Sequence, residues 1–234
     1  MEQGGTVMEV KTNANLEKKN ENNYIIKVEN VMKSFNKNKV LDDVSFACGK
    51  GQICGIVGRN GSGKTVLFKS ICGFLKLDSG KIYIKGKEMH KDIDLLTTAG
   101  IIIEEPAFLR NKSAMKNLEF LYMIRNKRNT EHISKVIKKV GLDPSSKKKV
   151  GNYSMGMRQR LAIAQAIMED QEILILDEPM NGLDNQGVKE MRELFLSLKE
   201  QGKTILLASH NKEDIDVLCD EVYEMDRGII SKVR

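Results

Sequence analysis

The sequence predicts an α/β fold, and three observations carry that reading. A glycine-rich loop, Gly58-Arg59-Asn60-Gly61-Ser62-Gly63-Lys64-Thr65, stands between an apolar strand pattern (Ile53, Ile56, Val57) and a helical one (Val66, Leu67, Phe68, Ile71, Cys72). Two more short apolar runs, residues 173–176 and 204–208, end in Asp177-Glu178 and Ser209-His210. That is the pattern of parallel strands carrying polar groups at their carboxyl ends, where open α/β sheets bind ligands. Between the loop and these runs, the periodicity of the middle third turns helical, so a helical insertion interrupts the alternation.

The elements follow in order. Residues 1–23 are rich in Asn, Lys and Glu, show no apolar periodicity and read as a disordered polar tail. Strand character begins at Tyr24, with Ile26, Val28, Val31 and Phe35, and resumes over residues 40–46 after an Asn-Lys turn that includes Phe35, a core or edge aromatic. Behind the loop's helix, Ile82 and Ile84 alternate between Gly80 and Gly86 as in a hairpin, and residues 101–103 form another strand before Glu104-Glu105-Pro106. Met115, Leu118, Leu121 and Tyr122 mark one helix. Ile133, Val136, Ile137 and Val140 mark a second, with Thr130 as its expected N-cap and Gly141 as its stop. Lys147, Lys148 and Lys149 read as a solvated loop, and His90 and His132 as surface residues.

Composition narrows the classes. The 234 residues suffice for one large domain or two small ones. No apolar run approaches a membrane span and no secretion signal is visible, so a cytoplasmic protein is expected. A net charge of +6, spread among few aromatics, argues for a solvated surface and against a nucleic-acid partner. Cys48, Cys54, Cys72 and Cys219 show no CxxC spacing and are expected as reduced core thiols.

The chemistry sits in the loop and at the strand ends. The loop fits GxxxxGK[ST], whose glycines let backbone N–H groups converge on phosphate oxygens at a helix N-terminus. Lys64 would contact the terminal phosphates and Thr65 would ligate Mg²⁺. Asp177, at the tip of an apolar strand, must face a charge or water, which that Mg²⁺ would supply; Glu178 could orient or deprotonate an attacking water. His210 occupies the matching position on the next strand. Ser154 and Gly156, before an apolar helix, have two readings that the residues leave open: a helix N-cap, or a second anion site.

Together these stretches resemble the nucleotide-binding subunit of an ABC (ATP-binding cassette) transporter over about residues 24–234. The motifs stand in family order: Walker A at residues 58–65, the signature at 153–157, Walker B at 173–178, the D-loop Asn181-Gly182-Leu183-Asp184, and the switch His210. The resemblance implies a RecA-like P-loop core with an antiparallel β-subdomain and a helical subdomain at about 107–160. It also implies ATP and Mg²⁺ as cofactors, Phe35 stacking on adenine, and a catalytic role for His210 in contact with the γ-phosphate. Two cassettes, expected to be identical, would pack head to tail so that Ser154 and Gly156 complete the other chain's site, and Asp184 of the D-loop is expected among the nucleotide-binding residues. An integral-membrane permease would be the partner, placing the chain on the cytoplasmic face of the membrane.

The sequence departs from the family pattern at Tyr-Ser-Met-Gly-Met in place of LSGGQ, at Val66, and at Glu104 where a Q-loop glutamine is usual. Glu104 is expected as a metal ligand; the alternative leaves it in solvent with Glu105 or a water in its place. Ile-Glu-Glu-Pro, Tyr-Ser-Met-Gly-Met-Arg-Gln-Arg and Asn-Gly-Leu-Asp are similar to the branch that exports, or gives immunity to, peptide antibiotics such as bacitracin and lantibiotics. A soluble cassette serving iron–sulfur assembly would share every motif. A DNA-maintenance ATPase of this family would need long heptad runs, which are absent, and its translation factors carry two such loops where this chain has one.

Overall fold

The computed structural model describes residues 24–234, so the expected polar tail at 1–23 lies outside the described residues. Two sheets form the frame. The smaller is antiparallel, in the order β2-β1-β4-β5: β1 Tyr24–Phe35, β2 Asn38–Gly49, β4 Ser79–Ile84 and β5 Lys87–Glu88. The larger runs β10-β9-β3-β8-β7-β6: β3 Ile53–Val57, β6 Ala99–Ile102, β7 Ile173–Asp177, β8 Thr204–Ala208, β9 Glu221–Asp226 and β10 Ile229–Lys232. All its neighbours pair in parallel except β10 with β9.

The central strands are apolar along nearly their whole length because both faces are covered, as parallel sheets require. Along β7, Ile173 and Ile175 face a core shared with the small sheet and with α1 (Lys64–Ile71). Leu174 and Leu176 face a second core, filled by α2 (Ala114–Tyr122), α3 (Thr130–Lys139), α4 (Met155–Ile167), α5 (Asn185–Glu200) and α6 (Lys212–Leu218). Phe68 and Phe195 anchor the two cores, each almost fully buried; truncating either to alanine is expected to cost about 3–5 kcal/mol. The architecture is thus a parallel α/β core with an antiparallel β-subdomain and a helical insertion.

Several details differ from the sequence expectations. Phe35 is the last residue of β1, and the hairpin turns at Asn36 and Lys37, both with positive φ. Asn129, rather than Thr130, caps α3, its side chain accepting from the His132 N–H. His132 is half-buried, with Nε2 2.6 Å from the Met168 carbonyl, so it joins α3 to the end of α4 instead of lying free on the surface. Cys48 and Cys54 form a disulfide, against the expectation of reduced thiols. The turn between β2 and β3 folds them to a Cα separation of 5.9 Å, a proximity that their spacing in sequence does not display. Cys72 and Cys219 remain thiols, and burial pushes both up to about 12.

Candidate nucleotide site

The site forms where β3, β7 and β8 end on the same side of the sheet. After β3 the chain must turn sharply into α1, and glycines allow it. Gly63 adopts φ +112, and a Cβ there would stand 2.7 Å from the Val40 carbonyl oxygen; at Gly58 it would stand 2.2 Å from that of Met225. Lys64 opens α1 almost fully buried, its Nζ donating to the carbonyls of Gly58 at 2.7 Å and Arg59 at 3.2 Å. The ammonium is thereby held against the loop's own backbone. Ser62 Oγ, in the same loop, is buried without a hydrogen-bond partner.

The Thr65 hydroxyl donates to Asp177 Oδ2 at 2.6 Å, across the gap between α1 and β7. The next residue, Glu178, has a left-handed backbone with φ 50 and donates its N–H to the Ala208 carbonyl at the end of β8. That bond sets β7 and β8 in register at their tips, so His210 Nδ1 comes 2.9 Å from Glu178 Oε2. Glu178 Oε1 is buried and has no partner. A buried carboxylate oxygen without a donor is costly, and Glu178 lines a cavity of about 510 Å³. Lys64, Thr65, Asp177, Glu104 and Asn181 line that cavity together with Glu178.

The donor set fits a magnesium nucleotide. A hydroxyl and a carboxylate in contact offer hard oxygen ligands, and Mg²⁺ is commonly held by one or two carboxylates plus phosphates and waters. Ser62 Oγ and Glu178 Oε1 are the orphaned polar atoms that such a ligand and its waters would satisfy.

Phe35, Ser154, Gly156 and Asp184 lie outside the cavity lining. Phe35 projects at the hairpin tip, 42% exposed, with the Lys33 ammonium 5.5 Å from its ring centroid. Ser154 caps α4, its hydroxyl accepting from the Met157 N–H at 3.2 Å, and neither it nor Gly156 lines the cavity. Asp184 is likewise a cap, for α5, accepting from the Gly187 N–H at 2.8 Å. Glu104 reaches the cavity wall, but its carboxylate is paired with Lys69 of α1 at 2.5 Å. Lys69 is a partner that sequence reading missed; only the fold brings it to Glu104. Gln159, whose Nε2 donates to the Pro179 carbonyl at 2.7 Å, was missed too and ties α4 to the loop after Glu178.

Comparison with known proteins agrees with this geometry. The family model described as ABC transporter matches residues 41–181, more than half of the chain. The ABC transporter ATP-binding protein YybJ of Bacillus subtilis (strain 168) is 43% identical over 204 residues, covering 87% of this chain and 94% of that protein. The bacitracin transport ATP-binding protein BcrA of Bacillus licheniformis is 41% identical over 206 residues, covering 87% of this chain and 67% of the other. Among solved structures, the ADP conformation of MJ1267, an ATP-binding cassette of an ABC transporter, superposes with a TM-score of 0.76 at 27% identity, covering 90% of this chain and 91% of that one. With the phosphate loop, the two acidic strand ends and these relatives in agreement, the chain belongs to the ABC transporter family, as an ATP-binding cassette.

Proposed function

We propose that the chain binds and hydrolyses MgATP to drive transport of a peptide antibiotic through a separate membrane-spanning permease. The observation that carries the hydrolytic part is Glu178, which lines the same cavity as Lys64: one carboxylate oxygen is held by His210 and the other is buried without a hydrogen-bond partner. A carboxylate in that state can accept a proton from a water, and His210 fixes its orientation. Lys64, once drawn from the carbonyls of Gly58 and Arg59, carries the charge to neutralise terminal phosphates. Thr65 and Asp177 would hold Mg²⁺, with Glu104 as a further ligand, and the ion would offset the charge on the phosphoryl group in transfer. Ser154, Gly156 and Asp184 stand outside the cavity of their own chain, which supports their serving a second, identical cassette packed head to tail.

The transport part rests on the similarity to a bacitracin transport protein and on the branch-like residues around Glu104 and Ser154. No helix among the described residues is long and apolar enough to cross a membrane; in this reading the permease is another chain and this one sits on the cytoplasmic face. The relatives favour this reading over the iron–sulfur assembly role.

Calorimetric titration of MgATP into the wild type and Lys64→Ala tests the site. Losing charge-assisted bonds worth about 1.5–3 kcal/mol should weaken binding roughly 10- to 150-fold; unchanged affinity would remove the loop from nucleotide binding. Affinity isolation of the native chain from detergent-solubilised membranes should recover an integral-membrane subunit. Recovery with a soluble iron–sulfur scaffold instead would replace the transport reading.

A further inference from the structure

His210 has a 59% exposed side chain, and its hydrogen bond to Glu178 is a single contact. Something other than packing must aim the ring. The flanking residues show what does. Ser209 is 3% exposed, and its hydroxyl does two things: it accepts the Asn211 N–H at 3.1 Å and donates to Asp214 Oδ2 at 3.3 Å. One hydroxyl therefore fixes the backbone on both sides of His210. Asp214 is itself 3% exposed, and its other oxygen, Oδ1, accepts Nε of Arg192 at 2.9 Å and Nη2 at 2.6 Å. Arg192 also pairs with Glu213 at 2.9 Å. It lies on α5, the helix that Asp184 caps, eight residues or about two turns past that cap.

We propose that Ser209, Asp214 and Arg192 form a positioning relay that aims His210 at Glu178 and ties its orientation to the helix begun by the D-loop. A purely structural role, packing α5 on α6, would account for the Arg192–Asp214 pair. It leaves unexplained why the second carboxylate oxygen is spent on a hydroxyl next to the switch histidine. Satisfying both oxygens stabilises a buried carboxylate, and here the two partners of Asp214 are the D-loop helix and the switch loop. A shift of α5 therefore moves Asp214, Ser209 and His210 together. This inference rests on the role given to His210 above.

The test uses the whole chain without nucleotide. It contains three histidines, His90, His132 and His210, so isotope-labelled imidazoles give three sets of resonances, with His210 assigned by its loss in His210→Gln. Ser209→Ala should shift the His210 resonances and leave those of His90 and His132 in place, and Ser209→Thr, which restores the hydroxyl, should return them. Arg192→Lys keeps the charge but cannot present the two-nitrogen edge, so it should shift them less in the same direction. In steady-state ATP hydrolysis, Ser209→Ala should lower kcat about 10- to 100-fold, as misplacement of a reacting group does, with KM within about twofold and recovery in Ser209→Thr. Asp214→Asn strands Arg192 and risks unfolding, so the Ser209 pair carries the test. His210 resonances unmoved by Ser209→Ala would overturn the relay, as would equal shifts at all three histidines. Wild-type turnover in His210→Gln would instead overturn the catalytic role of His210, while the resonances would still judge the relay.

Discussion

Strands β6 and β7 run side by side in parallel, and shortly beyond each lies a glutamate with a left-handed backbone, Glu104 at φ 62 and Glu178 at φ 50. Such a conformation costs a non-glycine residue about 1–3 kcal/mol, so neither is there for backbone reasons. Their side chains have opposite surroundings. Glu178 is 19% exposed, with one oxygen on His210 and the other unpartnered; Glu104 is 64% exposed and paired with Lys69. The same backbone conformation at neighbouring strand ends thus carries one mostly buried carboxylate and one exposed carboxylate, both in the lining of one cavity. Glu119 shows what a buried structural carboxylate looks like by contrast. It is 4% exposed, and Lys116, Thr130 and Arg128 all donate to it, joining α2 to the start of α3. Burial alone does not mark Glu178 as functional; burial with an unfilled oxygen does.

The contrast breaks most sharply at Glu178. Glu178→Gln preserves shape but cannot take a proton, and loss of a general base costs about 10²–10⁴ in rate. Turnover should fall by that factor while calorimetric ATP affinity stays within a few-fold, and a nucleotide-bound dimer should accumulate in size-exclusion chromatography. Near wild-type turnover would return Glu178 to the ranks of structural residues.

Glu119→Gln supplies the opposite outcome: little change in turnover and a loss of stability. Hydrogen bonds to a charged acceptor are worth about 1.5–3 kcal/mol, and part of that should be lost on denaturant unfolding at neutral pH. The sign of the pH dependence follows from the carboxyl's own balance. Burial raises it, but the bonds from Lys116, Thr130 and Arg128 outweigh burial and hold it below its ordinary value of 4.5. The stabilisation is therefore complete above about 4.5 and fades as pH falls through the lowered folded value. Wild type and Glu119→Gln should converge in stability in acid; a gap that widened there would contradict the assigned pairing.

The parts of this site that depend on short stretches of chain were legible in sequence. The loop at residues 58–65 announces itself because the glycine positions, the lysine and the flanking strand and helix are consecutive. Asp177, Glu178 and His210 could be placed because apolar strands of known direction end just before them. What could not be read is pairing between elements. Lys69 meets Glu104 across 35 residues and Arg192 meets Asp214 across 22, and each depends on how a helix is rotated against a sheet. Cys48 and Cys54 meet because of the path of one turn. The cap that Asp184 makes on α5 was not read from its motif either, since only the helix start shows that its carboxylate accepts the Gly187 N–H.

The smallest expected effect is the one that defines Glu104. Its carboxylate is a candidate ligand for Mg²⁺ and at the same time the partner of Lys69, so the two claims on it compete. An ammonium within 2.5 Å of the same oxygen both occupies a lone pair and repels a divalent cation. Glu104 is exposed, and exposed ion pairs are worth about 0.2–1 kcal/mol, so releasing this one should change metal binding by roughly 1.4- to 5-fold. Lys69→Met should accordingly lower the Mg²⁺ concentration needed for half-maximal ATP hydrolysis by that factor. Glu104→Ala should raise it and Glu104→Gln recover part of the loss, because an amide carbonyl is a weaker but usable oxygen donor. In the double variant Lys69→Met with Glu104→Ala, the benefit of removing Lys69 should vanish if it acts through the carboxylate. A Mg²⁺ requirement unchanged across the whole set would leave Glu104 a solvent-facing residue and confine the metal to Thr65 and Asp177.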